Sequence, residues 1–553
     1  MKHTSFSLVL AASLLLNTSC TYGQRGMNDP ATQKIAMTVA VIENLYVDHV
    51  DKEKLANDAV IALLKGLDPH SAYMTPEEVK EMNEPLQGNF DGIGVQFNVL
   101  TDTIYVVQVI AGGPSEKVGL LAGDRIIYID DTLMVGDAVK HTTSVTKKLR
   151  GLKGTTVNVK VKRGSNPNLM SFNIVRDKIP LYSLDASYML NKTAGYIKLS
   201  RFAATTYEEF KTALAKLQAQ GMKDLVLDLQ DNSGGYLEAA IQVANEFLQS
   251  GNLIVYTEGV HQKRDDAKAD MRGSLEKGKV VVLIDESSAS ASEIVTGALQ
   301  DWDRAVVVGR RSFGKGLVQR PIPLPDGSML KLTTARYYTP TGRCIQKPYE
   351  NGNMESYQKD MITRYNHGEM LSADSIHFPD SLRYSTLVTK RTVYGGGGIM
   401  PDYFVPIDTT RYTDMHRSLM ASGVIFKQVM NLIDKNRKSY QTKYPNIATF
   451  KAKYEVTDAM IDDLLSSLKK ADFDMIVTGG AAPHKSTHLT DEDLKQLEKS
   501  KPLIQNQIKA LVARDIWNMS EYYQIHNEID DVLKQAIKLL ENPKEYDKLL
   551  SGK

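Results

Sequence analysis

Residues 278–319 read GKVVVLIDESSASASEIVTGALQDWDRAVVVGRRSFGKGLVQ, and this stretch decides the fold. Val280 to Ile284 is an apolar, β-branched run, the pattern of a strand buried on both faces. Ser290 and Glu293 make an S-x-x-E capping box ahead of Ile294, Val295, Ala298 and Leu299, so a helix is expected to open at Ser290. Residues 306–308 form a second buried strand. A serine therefore stands on a strand-to-helix turn, where its hydroxyl can be exposed and the unpaired N–H groups of the helix start can face an oxyanion. Lys315 lies further on, between Gly314 and Gly316. Taken singly, such a serine is most often only a cap, and such a lysine only a solvated loop residue.

The whole string says more. Ser288-Ala289-Ser290-Ala291-Ser292-Glu293-Ile294, then Gly297-Ala298-Leu299-Gln300-Asp301, then Phe313-Gly314-Lys315-Gly316 and Gln319 resemble the carboxy-terminal processing (tail-specific) peptidases. These are PDZ-containing serine–lysine proteases, and the resemblance extends from about Ile35 to about Pro406. It implies a multidomain α/β chain: a crotonase-like (ClpP/crotonase) peptidase core with an inserted PDZ domain. It implies Ser290 as nucleophile, Lys315 as base and Gln319 as the residue that orients the lysine. Asp301 falls on a position that matters in some members; a paired helix-end residue is the plain alternative.

The chemistry has its own requirements. Peptide hydrolysis needs a nucleophile, a base and donors for the oxyanion. A serine hydroxyl needs a neighbouring base, and lysine serves only when neutral, so the folded site must favour the uncharged amine. The Ala291 N–H, at the helix start, is one expected oxyanion donor; Gly234 or Gly235 is the expected second. Those glycines close the Asp228-to-Gly235 loop, which resembles the family's Asp-Leu-Arg-x-Asn-Pro-Gly-Gly with Gln230 for the arginine and Ser233 for the proline. Lys315 and Gln319 share a face four residues apart, about 13 Å along a straight strand, so direct contact requires a bend. Gly314 and Gly316 could supply one. No H-E-x-x-H and no nucleotide loop is present, and no metal or cofactor is expected.

Upstream, residues 88–165 read as the PDZ domain. Gly92-Ile93-Gly94-Val95 resembles its carboxylate-binding loop, where glycines let consecutive N–H groups turn to one carboxylate. Residues 95–99 alternate and would be the edge strand joined by a peptide; Val95, Phe97 and Val145 would make its tail pocket apolar. Residues 137–149 are expected to be the groove helix and 155–162 the closing strand. Residues 31–87 read as helical, with Ile35, Val39, Ile42 and Leu45 on one stripe and Leu55, Ala59, Ala62 and Leu63 on the next. Leu67-Asp68-Pro69-His70-Ser71 follows; His70 is expected to be a turn residue rather than a catalytic one.

From 180 to 345 strands and helices alternate, the mark of the α/β peptidase core. Residues 346–394 interrupt it, 395–409 return to it, and 410–553 are mostly helical, with packing, dimerisation or adaptor binding all open. The glycine run 395–398 reads as a flexible bend. Residues 1–23 read as a bacterial export leader: Phe6 to Leu16 is apolar but too short to span a bilayer. Leu16-Asn17-Thr18-Ser19-Cys20 is a loose lipoprotein box, which makes a lipid anchor at Cys20 one alternative and cleavage after Gly23 the other. A periplasmic or cell-envelope location follows from either.

Composition is that of a globular protein, 42% hydrophobic and 24% charged. A net charge of +1 gives no reason to expect nucleic acid as a partner. Of two cysteines, only Cys344 lies outside the leader, so no intrachain disulfide is available to the body. The function these features support is exported proteolysis of proteins bearing apolar C-terminal tails. The rivals are a catalytically silent PDZ scaffold and an acyl-coenzyme A enzyme on the same core, with a homodimer or an adaptor as possible partners.

Overall fold

The computed structural model describes residues 29–552 apart from 101, 111, 140–141, 165, 271–272, 469–472, 476–483 and 487–489. The leader and Cys20 lie outside the described residues. The chain forms two compact units: one of residues up to Val79 with Gln319–Thr333 and Tyr349–Gln358, the other of Lys80–Val318, Thr334–Pro348 and Lys359–Lys553.

In the first unit the helices Pro30–Leu45 and Lys52–Lys65 start on Asp29 and Asp51, whose carboxylates accept from the first-turn N–H groups. The apolar stripe of the first helix exists but is only partly covered: Val39 and Ile42 are half-buried, while Ile35 is 46% and Leu45 77% exposed. In the second helix Leu64 turns inward, not Leu63 as the spacing suggested. Strand Ala72–Met74 pairs antiparallel with Met329–Lys331, beside the turn at Pro325-Asp326-Gly327, which Leu324 and Ser328 close with a 2.8 Å hydrogen bond.

The second unit is built on a six-stranded sheet in the order Leu184–Met189, Ala194–Leu199, Asp224–Asp228, Val280–Ile284, Val306–Gly309, Tyr403–Phe404. The first pair is antiparallel and the rest are parallel. Every residue of Val280–Ile284 is buried, as its continuous apolar run required. Alternation then divides the sheet between two covers. Leu225, Leu227, Val280, Val282 and Ile284 face the helices Thr206–Ala219, Leu237–Asn245 and Ala291–Asp301. Val226, Val281, Leu283, Val306 and Val308 face Val532, Leu533, Ala536 and Leu540 of the helix Asp531–Glu541. Thus the helix Asp531–Glu541 packs on this sheet, one of the roles that sequence left open for 410–553. The helices between 414 and 526 enclose a core of their own around Val429, Phe450, Ile504 and Ile508.

The PDZ-like domain is a sheet in the order Val95–Leu100, Thr103–Val109, Arg125–Ile129, Thr156–Lys162, Met170–Val175. The last strand was not anticipated. The groove helix is also shorter than expected: Thr142–Leu149 is helical, after a 3₁₀ turn at Gly136–Val139. Val139 and Val145 are both buried, and a single straight helix at 100° per residue would put them on different faces.

Candidate active site

Strand Val280–Ile284 delivers the chain to a tight turn in which Asp285 accepts from the N–H groups of Ser287 and Ser288 (both 3.0 Å). Ser290 follows at φ 55°, ψ −112°, and the helix Ala291–Asp301 begins at the next residue. A side-chain-bearing residue held there costs about 1–3 kcal/mol, and the surrounding contacts must over-determine it. They do. The Glu293 half of the capping box accepts the Ser290 N–H at 2.8 Å.

Glu293 does more than cap. It is fully buried, and its carboxylate also accepts from Ser312 Oγ (2.5 Å), the Gly314 N–H (2.7 Å) and the Lys315 N–H (2.9 Å). Burial pushes its carboxyl up to about 7, against the pull of those four donors. The Tyr337 hydroxyl reaches the carbonyls of both Ser290 (3.2 Å) and Lys315 from the other side. Serine and lysine, apart in sequence, are therefore bound by their backbones to one carboxylate and one phenol. The capping role of Glu293 was legible from its spacing; its hold on the lysine loop was not, and nothing marked Tyr337.

Further contacts brace that loop. The Gly316 N–H donates to Gln346 Oε1 (2.8 Å), and the Lys347 N–H to the Gly314 carbonyl (2.9 Å). Arg364, from the stretch that interrupts the family pattern, donates to the carbonyls of Ser312 (3.1 Å) and Arg311 (2.7 Å). The glycine run 395–398 bends as expected at 396–398, and it does so at close approach. Gly398 has φ +87° and lies so near Ser312 that a Cβ would stand 2.6 Å from its carbonyl oxygen.

Gly234 lies against the serine turn: a Cβ there would meet Ser290 Cβ at 2.7 Å and the Ala291 N at 2.9 Å. Its own N–H, however, donates to Asn232 Oδ1 (2.9 Å). Of the two glycines named as the second donor, Gly234 thus has its N–H engaged. Gly235 is the exposed one, at φ +148°, with Phe202 O where a Cβ would go. Ala291 occupies the first helical position, whose N–H has no intrahelical acceptor.

Gln319 falls in the other unit, where its amide Nε2 donates to Thr333 Oγ1 (3.3 Å). His70 is there too, its ring nitrogen 2.9 Å from the Tyr357 hydroxyl, a turn residue as expected. Asp301 is paired: with Arg343, also fully buried, it makes a 2.5 Å ion pair, and it accepts from the Thr341 N–H (2.9 Å) and hydroxyl (2.7 Å).

In the PDZ-like domain Val95–Leu100 ends the sheet and pairs on one side with Thr103–Val109, as an acceptor strand for a peptide would. Val95 and Phe97 are half-buried. Val145 is fully buried in the domain core, so it does not line an open pocket as expected. Ile93 is also core, its carbonyl accepting from the Ser115 N–H (3.1 Å) and hydroxyl (2.6 Å), and Gly94 takes φ +76°.

Three family models match the chain: Peptidase family S41 over residues 193–352, PDZ domain over 92–174, and a family of unknown function over 415–518. The carboxy-terminal-processing protease of Bartonella bacilliformis is 39% identical over 313 residues, 55% of this chain and 70% of that protein. The carboxy-terminal processing protease CtpB of Bacillus subtilis is 36% identical over 324 residues, 58% of this chain and 66% of that protein. Among solved structures, a photosystem II D1 C-terminal processing protease is 28% identical, with 60% of this chain and 90% of that one covered at a TM-score of 0.35.

Proposed function

This chain belongs to peptidase family S41, the carboxy-terminal processing proteases, and from that premise we propose that it cleaves by a serine–lysine mechanism centred on Ser290 and Lys315. It is a serine-type peptidase with a PDZ domain. One observation carries the mechanistic reading: the buried Glu293 carboxylate holds the backbone N–H of both Ser290 and Lys315. In the proposed reaction the neutral Lys315 amine takes the Ser290 proton as Oγ attacks the scissile carbonyl. The N–H groups of Ala291 and Gly235 receive the oxyanion, and Gly234 lets the two loops approach. The lysine then returns the proton to the leaving amine, and water, activated by the same base, releases the acyl group. Gln319 orients the base.

The PDZ domain is proposed to select substrates by a free, apolar C-terminus. Backbone N–H groups of Gly92 to Val95 would receive the carboxylate, and Val95 and Phe97 would favour an apolar last side chain. Incubation with an unfolded substrate ending in an apolar residue should yield fragments. Amidating that tail should raise KM about tenfold or more, the effect of losing a charge-assisted hydrogen-bonded contact, and ending it in aspartate should do so by setting a charged side chain against Val95 and Phe97. Equal rates for amidated and free-acid tails would place selectivity at the scissile bond. An absence of fragments would favour the silent-scaffold reading.

We further propose export through residues 1–23, ending either in a lipid anchor at Cys20 or in cleavage after Gly23. With an anchor, Cys20→Ala should release the protein from membranes into the soluble fraction. A mature N-terminus at Gln24 would reject the anchor, and so would membrane retention of the variant.

A further inference from the structure

We propose that Thr333 and Asp68 are positioning residues that determine which end of the Gln319 amide is presented as a hydrogen-bond acceptor. This rests on the reading of Gln319 as the residue that orients the base.

The argument runs through a chain of hydrogen bonds in the first unit. Asp68 is buried at 8% exposure. Its Oδ1 accepts from the N–H groups of His70 (2.8 Å) and Ser71 (3.0 Å) and from Thr333 Oγ1 (2.9 Å), and its Oδ2 accepts from Ser71 Oγ (2.5 Å). Burial alone would raise its carboxyl, but the hydrogen bonds from Ser71, His70 and Thr333 hold it below the ordinary carboxylate value, so it is ionised at neutral pH.

An ionised carboxylate can only accept. The single hydroxyl proton of Thr333 is therefore committed to Asp68, and the Thr333 oxygen is left as an acceptor. It faces Gln319, and only the NH₂ end of that amide can donate to it, as the 3.3 Å contact from Nε2 has it. Oε1 is then the outer end. An oxygen is the end required of an orienting residue, because an amine has N–H groups to give it. Left alone, a glutamine amide has no preference for either end. The Thr333 backbone is fixed as well: its N–H donates to Ser71 Oγ (3.0 Å), whose own proton goes to Asp68. The turn that carries Asp68 is pinned by the His70 ring on Tyr357.

The test is a double-mutant cycle on the full-length protease with a single peptide substrate. Thr333→Val keeps the shape and removes both hydrogen-bonding functions. It is expected to lower kcat about tenfold with KM unchanged, the scale of one hydrogen bond lost and its partner left free to turn. Thr333→Ser should restore the rate. In a Gln319→Ala background, itself slow, Thr333→Val should have no further effect on kcat. Equal effects of Thr333→Val with and without Gln319 would overturn the proposal, as would failure of Thr333→Ser to restore the rate. If Gln319→Ala is slow while Thr333→Val is as fast as wild type, the relay alone is wrong. If Gln319→Ala is as fast as wild type, the orienting role of Gln319 is wrong and the relay falls with it. Should Thr333→Val not fold, Thr333→Ala asks the same question, and Asp68→Ala, which frees the Thr333 proton, should show the same kcat loss, absent in the Gln319→Ala background.

Discussion

Ser290→Ala and Lys315→Ala are each expected to lower the rate of peptide cleavage at least about a thousandfold, and the double variant should be little worse than either. Without the hydroxyl there is no acyl intermediate, and without the amine the hydroxyl keeps its proton. Each partner is therefore useless alone, so the losses do not add. Steady-state rates on one peptide, with the melting temperature measured alongside, check this. Lys315→Ala retains the Lys315 N–H that Glu293 accepts, so the loop should keep its place and the loss should fall on kcat. Near-wild-type cleavage by either variant would remove that residue from the mechanism. The residual rate should come from substrate binding and from the Ala291 and Gly235 donors.

Glu293→Gln should lower kcat about a hundredfold, the penalty of displacing reacting groups by about 1 Å. Oε1 accepts from Ser312 and Gly314, and Oε2 from Ser290 and Lys315. In glutamine one of these oxygens becomes an NH₂: at the Oε2 place it opposes the N–H groups of Ser290 and Lys315, and at the Oε1 place it opposes the Gly314 N–H while the Ser312 hydroxyl turns to accept. Each such donor costs about 1–3 kcal/mol unless the loops part. A pH dependence follows. The carboxyl is raised from 4.5 to about 7 by burial, and only its ionised form can accept all four donors. Activity should therefore fall as pH drops through about 7, and Glu293→Gln should lack this limb while keeping the limb of the base. Stability runs the other way. A carboxyl whose folded value is raised contributes stability fully below its unfolded value of 4.5 and loses it as pH rises through about 7. Inactivation below neutrality through this group should thus leave the fold intact. An identical acid limb in Glu293→Gln would sink the argument.

Local patterns in the chain were enough for much of this protein. The apolar runs at 280–284 and 306–308 and the cap at Ser290 appear where residue pattern put them. Hydrophobic spacing and capping act over four residues or fewer, so a single chain displays them openly. The same patterns misled wherever a partner surface was needed to interpret them. The helix Pro30–Leu45 has its apolar stripe with no residue fully buried, and Val145 lies in the PDZ core rather than on its groove.

The family and its candidate nucleophile and base could be read from the order of residues; how they are held could not. Tyr337 reaches Ser290 across 47 positions, and Thr333 reaches Asp68 across 265. The closing of the second sheet face by Asp531–Glu541 likewise joins segments far apart in the chain. Such contacts carry no sequence period, because they depend on which surfaces tertiary packing brings together. For the same reason a capping glutamate comes to hold two loops together only when the loop of Ser312 to Lys315 arrives at its carboxylate. Residue type and spacing determined the chemistry available to this chain, and only the packing of distant segments decided which groups share a hydrogen bond.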